Sequence, residues 1–335
     1  MRLGELAVEV RVVEAGDSPS AFVVLEQVAA EREFPTLMPG DEALVLLTSP
    51  PPQYRFSCLS CVEGDEVIGA AWLTWSLAEN QHLLVADIAV DAAHRRLGAG
   101  SALLDAVRAE GVKGGRSVLL GETFSPYGAE VGPGSAFAAA RGFISQYAAL
   151  HQVLDYPVAG LSEKALEVAP HHRDYTFVTW HGECPAEYVE DFCGMLSLVD
   201  EEVPLDELEI EPKRWTPERL RSVEAHRRTQ GRFASTTVAV APGGSLAGYT
   251  ELTGSPQRSG RLDQRDTLVR PEHRGHRLGL ALKITNLQAL QARTQAPATI
   301  HTWNAEANSP MIAVNNHLGF RPVEHQHVWV NQLAV

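Results

Sequence analysis

Asp87-Ile88-Ala89-Val90-Asp91-Ala92-Ala93-His94-Arg95-Arg96-Leu97-Gly98-Ala99-Gly100-Ser101-Ala102-Leu103-Leu104 is the stretch on which the reading of this chain turns. An apolar run ends at Val90, a basic glycine-containing loop follows, and a helix-forming run begins near Gly98. A helix start presents unpaired backbone N–H groups and the positive end of its dipole. Such a start binds phosphate. Gly98 and Gly100 let the backbone approach a pyrophosphate with no side chain in between. Arg95 and Arg96 add charge-assisted contacts.

The pattern occurs twice. Asp266-Thr267-Leu268-Val269-Arg270-Pro271-Glu272-His273-Arg274-Gly275-His276-Arg277-Leu278-Gly279 repeats it. Val269, His273, Arg274 and Gly279 follow Val90, His94, Arg95 and Gly100 at one constant offset. Leu318-Gly319-Phe320 follows Arg141-Gly142-Phe143 at nearly the same offset. Such constancy implies one duplicated domain. In the second copy Arg277 replaces the loop's first glycine, an arrangement expected to keep its backbone away from positive φ. Two other readings of the loop are a dinucleotide-binding G-x-G-x-x-G and a tight turn with no ligand. The former follows the first strand of its domain, with an acid about 20 residues on. Here the loop follows the fourth candidate strand.

The same order of elements fits both halves. The first has a strand near Ala7–Val13, a helix near Pro19–Glu31 behind Ser18 as cap, and strands near Tyr54–Val62, Glu66–Trp75 and His82–Val90. A helix from about Gly98 to Glu110, a strand at Ser117–Leu120, a helix near Ser135–Arg141 and a closing strand near Phe143–Asp155 follow. The second has a strand near Tyr175–His181, helices near Ala186–Val199 and Pro217–Thr229, and strands near Ser235–Val240, Leu246–Leu252 and Leu262–Val269. A helix at Leu278–Arg293, a strand at Ala298–Trp303, a helix at Ser309–His317 and a closing strand complete it. Domains of 1–158 and 173–335 with a linker of 159–172 are expected, in an α/β class with a mixed sheet.

Composition bounds the function. The 335 residues carry a formal net charge of -14. Nucleic acid is disfavoured as a partner, because phosphate backbones need a basic footprint. An acidic field favours cationic small molecules. No apolar run reaches the roughly 18 residues of a membrane span, and the N-terminus lacks a signal-like stretch, so a cytoplasmic protein with no membrane partner is expected. Cys58 and Cys61 form a C-x-x-C within a strand, with no second ligand pair nearby. Packed free thiols are expected there, and no metal site.

With both loops in view, Val90 to Leu104 resembles the acetyl-CoA-binding motif of the GNAT superfamily of N-acyltransferases, Gln/Arg-x-x-Gly-x-Gly/Ala. Arg95, Gly98 and Gly100 match it, and Gly142-Phe143 sits in a helix-to-strand turn as in that family. The tandem arrangement is similar to mycothiol-synthase-like proteins. The resemblance implies two tandem GNAT acyltransferase domains. It places acetyl-CoA phosphates on Arg95, Arg96, Leu97, Gly98, Ala99, Gly100 and Ser101, and in the second copy on Arg274, Gly275, His276, Arg277, Leu278 and Gly279. It places the pantetheine arm along the open strand edge near Ile88 and Val90, or Thr267 and Val269, with Asn308 in contact with that arm.

The implied reaction is direct attack of a small-molecule amine on the thioester. Such an amine has a pKa of roughly 10 and needs a base. The family's tyrosine before the Gly-Phe pair is replaced by Ala138 and Asn315. Substitutes are Glu251 and Asn308 in the second half and Glu122 in the first; Asn308 also suits a helix cap. Asn304 and Asn315 are expected near the cleft, and His301 and His317 as packed or surface histidines. Catalysis is expected in the second domain, with cofactor in the first and also the second. A silent acetyl-CoA-binding or regulatory protein and a mycothiol synthase are the alternatives.

Overall fold

The computed structural model describes residues 8–13, 20–35, 40–129, 131–201 and 210–334. Ser18, the expected cap, lies outside them, as do Ala7 and Pro19. Two compact units emerge, and neither is one continuous segment. The first groups Met1–Phe124, Val131–Gln146 and His327–Val335; the second groups Ser125–Glu130 and Tyr147–Gln326.

The first unit contains β1 (Glu9–Val12), α1 (Ser20–Ala30), α2 (Gly40–Thr48), β2 (Tyr54–Glu63), β3 (Glu66–Ser76), β4 (Leu83–Val90), α3 (Ala99–Lys113), β5 (Val118–Pro126) up to Phe124 and α4 (Pro133–Ala140). β1 to β4 pair antiparallel in order, and β5 joins β4 in parallel. Strand residues alternate between two helix layers. Leu84, Ala86, Ile88 and Val90 pack with Leu103, Leu104 and Val107 of α3. Trp72 and Ala89 face the other way, onto Phe22, Leu25 and Ala43 of α1 and α2. The three α3 side chains are almost wholly buried, and each contributes about 1.5–3 kcal/mol.

The second unit is built alike. It takes β6 (Ile144–Tyr156) from Tyr147 onward, α5 (Leu161–Val168), β7 (Thr176–His181), α6 (Val189–Glu201), α7 (Pro217–Thr229), β8 (Phe233–Val240), β9 (Leu246–Gly254), β10 (Arg261–Val269), α8 (Leu278–Gln291), β11 (Ala298–Ala305), α9 (Ser309–Leu318) and β12 (Arg321–Gln332) up to Gln326. β7 to β10 pair antiparallel, β11 joins β10 in parallel, and β6 pairs antiparallel with β11 from Ala149 to Tyr156. The duplication extends to close packing. Gly69 on β3 and Gly248 on β9 occupy corresponding positions of the two copies and oppose Val90 and Val269. A Cβ on either would sit about 3 Å from Leu103 or Leu282 of the crossing helix and crowd a neighbouring carbonyl.

Three features depart from the sequence expectation. α2 falls where no element is expected. The expected linker 159–172 contains α5, whose Leu161 and Val168 are buried against α8. The closing strands are exchanged: Tyr147 onward groups with the second unit, and His327 onward with the first. There Trp329 Nε1 donates to Thr123 Oγ1 at 2.7 Å, and Leu333 N donates to Ser117 O at 2.7 Å. The ladder of β6 on β11 secures the other half of the exchange.

Candidate active site

Each unit holds a fork in its sheet. In the first, β4 and β5 pair at Leu83–Val118, Leu84–Leu119 and Val85–Leu120 and then part, although both continue. Ile88 and Val90 lie beyond the last pair. In the second, β10 and β11 pair from Arg261–Thr299 to Asp263–His301 and then part, leaving Thr267 and Val269 beyond. β10 also carries a bulge between Gln264 and Thr267, which shifts its faces relative to β4.

The loop after each fork is held in the same way. Arg95 Nε donates to Val90 O at 3.0 Å, and Arg274 Nε donates to Val269 O at 3.1 Å. One lone pair of each carbonyl is thereby occupied. Arg95 also pairs with Glu31 at 2.5 Å. Both arginines thus brace the loop.

Gly98 caps α3 at φ 107° with no side-chain cap, and a Cβ there would meet nothing within 4 Å. The glycine answers a backbone need, and the space it leaves open lies at the start of the helix. Arg96 is also left-handed, at φ 67°. Leu97, Ala99, Gly100 and Ser101 surround that start. In the second unit, Arg277 caps α8 at φ 52°. The expectation that an arginine there keeps out of positive φ is corrected: the tight strand-to-helix turn requires the left-handed region, at a cost on the order of 1 kcal/mol for a side-chain-bearing residue. Its guanidinium pairs with Glu167 at 3.3 Å, and His276 Nδ1 lies 3.3 Å from His171 O. Gly275, at φ 89°, Leu278 and Gly279 complete the turn.

The catalytic candidates are dispersed. Glu251 accepts both guanidinium donors of Arg227, at 3.0 and 2.9 Å, and the Thr236 hydroxyl at 3.2 Å. These three hydrogen bonds tie the carboxylate to α7 and β8. Asn308 caps α9, its Oδ1 accepting from Met311 N at 3.2 Å. Asn315, expected near the cleft, is wholly buried; it accepts from Lys283 Nζ at 2.6 Å and donates to Gln152 at 3.0 Å. Asn304 Nδ2 lies 3.5 Å from Thr302 Oγ1. His317 pairs at the surface with Glu167 at 3.3 Å. The four cysteines are buried and free, and burial pushes the Cys58 thiol up to about 12.

Glu122 lies on β5 beyond the fork, and it brings a partner that sequence reading missed. Asp87 on β4 is half-buried two residues past the last β4–β5 pair, on the face away from α3. Burial, with the charge of Glu122 as second cause, pushes it up to about 7. Its cross-strand neighbour Trp72 has a buried Nε1 without an acceptor among the described residues. The sequence offers only its place as first residue of the repeated stretch, and nothing in its residue type marks it as a base. A carboxylate titrating near neutrality beside an open strand edge is suited to general base work.

The acetyltransferase (GNAT) family model matches residues 25–124, the stretch from α1 through the first fork to β5. No curated protein sequence matches. Among solved structures, a tandem GNAT protein from the clavulanic acid biosynthesis pathway is 28% identical, with 98% of this chain and 99% of that one covered and a TM-score of 0.76. A GCN5-related N-acetyltransferase from Sphaerobacter thermophilus shares the fold at 12% identity, with 98% and 96% covered and a TM-score of 0.67. Two forks, two braced loops and a tandem neighbour of full length agree: the chain is a tandem of two GNAT folds, and its residues 25–124 are similar to the acetyltransferase (GNAT) family.

Proposed function

We propose that the chain is an acetyl-CoA-dependent N-acetyltransferase that acetylates the amine of a small molecule, and that its first unit performs this reaction. The observation that carries the proposal is the coincidence, in one fork, of an open strand edge, a glycine-capped helix start and a carboxylate titrating near 7. The backbone N–H groups around Gly98, Ala99 and Gly100 suit the phosphates of the donor, and the edge at Ile88 and Val90 suits its extended arm. Asp87 takes the proton of the incoming ammonium, directly or through a water, so that the free amine attacks the thioester. Burial, and then repulsion from Glu122, keep Asp87 basic enough. The acidic net charge favours cationic acceptors. The tandem relative from the clavulanic acid biosynthesis pathway supports a small-molecule acceptor over a protein one.

The test is release of free thiol from acetyl-CoA with a panel of primary amines and polyamines. Turnover with at least one amine is expected. Calorimetric binding of acetyl-CoA without thiol release across the panel would make the chain a silent binder instead.

A further inference from the structure

Trp72, Trp75 and Trp329 belong to the first unit, and two of them have a matched indole N–H. Trp75 Nε1 donates to Ser57 Oγ at 3.0 Å, and Trp329 Nε1 donates to Thr123 Oγ1 at 2.7 Å. Trp72 differs. It is 3% exposed, and its buried Nε1 has no acceptor among the described residues. A buried donor left unmatched is costly. The ring is also held. Phe56 stacks on it with centroids 5.5 Å apart, and Phe22 meets it edge-on at 6.2 Å. Cys58, Ala70 and Ala89 pack around it. The indole reaches solvent only by breaking these contacts, so its acceptor is to be sought in what the site binds.

The position of Trp72 decides what that acceptor is. Trp72 directly opposes Asp87 across β3 and β4. Side chains so opposed share a face, with Cβ atoms about 4.5–5.5 Å apart. Glu122 stands on the same face: Val85 and Leu120 form the last β4–β5 pair, and Asp87 and Glu122 each lie two residues farther on. One indole donor therefore neighbours two carboxyl groups. An atom seated between them has to accept from the indole and give a hydrogen to a carboxylate. A hydroxyl does both. Water does so as well, and a substrate hydroxyl taking its place keeps both bonds. A substrate carboxylate only accepts, and it meets the charges of Asp87 and Glu122. An alkyl group leaves the indole unmatched.

We propose that Trp72 is a specificity-determining residue of the first fork and that the acceptor is a 1,2-amino alcohol, whose hydroxyl accepts from Trp72 Nε1 and donates to one oxygen of Asp87 while its amine faces the other. This rests on the reading of Asp87 as the base of that fork. The nitrogen and oxygen of a gauche 1,2-amino alcohol lie close enough to bond the two oxygens of one carboxylate. Asp87 takes one ammonium proton. The nitrogen then attacks the thioester carbonyl carbon; the C–N bond forms, the C–S bond breaks, and the thiolate leaves with that electron pair and takes up the proton the nitrogen sheds. The hydroxyl keeps its hydrogen and fixes the direction of attack.

The test compares three acceptors of like bulk by thiol release from acetyl-CoA at about pH 8, where Asp87 is ionised. They are trans-2-aminocyclohexanol, cyclohexylamine and trans-2-aminocyclohexanecarboxylic acid. The full-length wild type is expected to favour the amino alcohol over cyclohexylamine about 10- to 100-fold in kcat/KM, and to disfavour the amino acid. Trp72→Phe, which keeps an aromatic ring and removes the donor, is expected to lower the preference for the amino alcohol about 10-fold. A second measurement does not depend on that variant's folding. The Trp72 indole N–H resonance of the wild type is expected to shift downfield with the amino alcohol and to stay in place with cyclohexylamine. A wild-type ratio near one, an unchanged ratio in folded Trp72→Phe, preferred transfer to the amino acid, transfer only to amines outside these three, or a resonance that answers both amines alike each overturns the role of Trp72 and leaves N-acetyl transfer standing. Thiol release with no amine at all overturns both.

Discussion

The two copies differ most where they should agree most, along the helix that follows each loop. Leu104 of α3 and Lys283 of α8 occupy corresponding positions, as do Ala138 and Asn315. In the first unit this pair is apolar and buried. In the second it is a buried amine bonded to a buried amide, with Lys283 Nζ 5.6 Å over the Phe320 ring. Burial pushes Lys283 down to about 7. The forks diverge likewise: Asp87 and Glu122 lie beside one, and a buried run of hydrogen bonds from Glu324 through His151 to His301 lies beside the other. A duplicated backbone has kept its frame while its two polar interiors separated, because strand pairing and loop geometry constrain only the glycines and the apolar faces.

The comparison can be broken in order of effect. Asp87→Asn should lower kcat for transfer at the first fork about 100-fold with acetyl-CoA affinity unchanged. The wild-type rate should rise from acid pH and level off above the pH near 7 at which Asp87 ionises; a flat profile from about pH 5 to 9 would remove it as the base. Next, Arg227→Ala should destabilise the chain by about 3 kcal/mol in denaturant unfolding, because it leaves Glu251 a partly buried unpaired anion. Its kcat should stay within about twofold, since a structural pair contributes no proton transfer. A large loss of kcat with stability intact would restore Glu251 to the chemistry.

Smaller effects sharpen the difference between the helices. The unfolded chain binds more protons than the folded one between pH 7 and the lysine's ordinary value of 10.5, so stability should rise with pH across that window. The double substitution Lys283→Leu with Asn315→Ala, which copies the apolar pair of the first unit, should flatten that rise. An unchanged rise of melting temperature with pH in the double variant would show that Lys283 keeps its charge in the fold. Finally, Gly98→Ala should cost on the order of 1–2 kcal/mol and weaken acetyl-CoA binding, whereas Arg277→Gly should stay within about 1 kcal/mol of wild type. Equal responses at both loops would mean that the turns are not equivalent.

Much of the architecture was legible because it is periodic. Alternation and glycine turns located β2, β3 and β4 within a residue or so of their ends. α2 was not legible, because Ala43-Leu44-Val45-Leu46-Leu47 reads as a short apolar run of either type, even behind the acids Asp41 and Glu42. α5 was hidden between Gly160 and Pro170, which read as breakers. Of the site, the loops carried a signal in their residue types. Asp87 did not, since an acid in a strand takes its proton affinity from burial and from Glu122, which reaches it from a different strand. The partner of Glu251 was hidden for the same reason, because Arg227 reaches it from an earlier helix.

From residues alone follow the duplication, the order of strands and helices in each half, and the two basic, glycine-containing loops that each open a helix, because these rest on local spacing and backbone freedom. The exchange of closing strands, the pairing of Glu251 with Arg227 and the chain from Glu324 through His151 to His301 were settled only in three dimensions. Each depends on which strand lies beside which, and the energy of a buried charge is set by neighbours that sequence distance does not reveal.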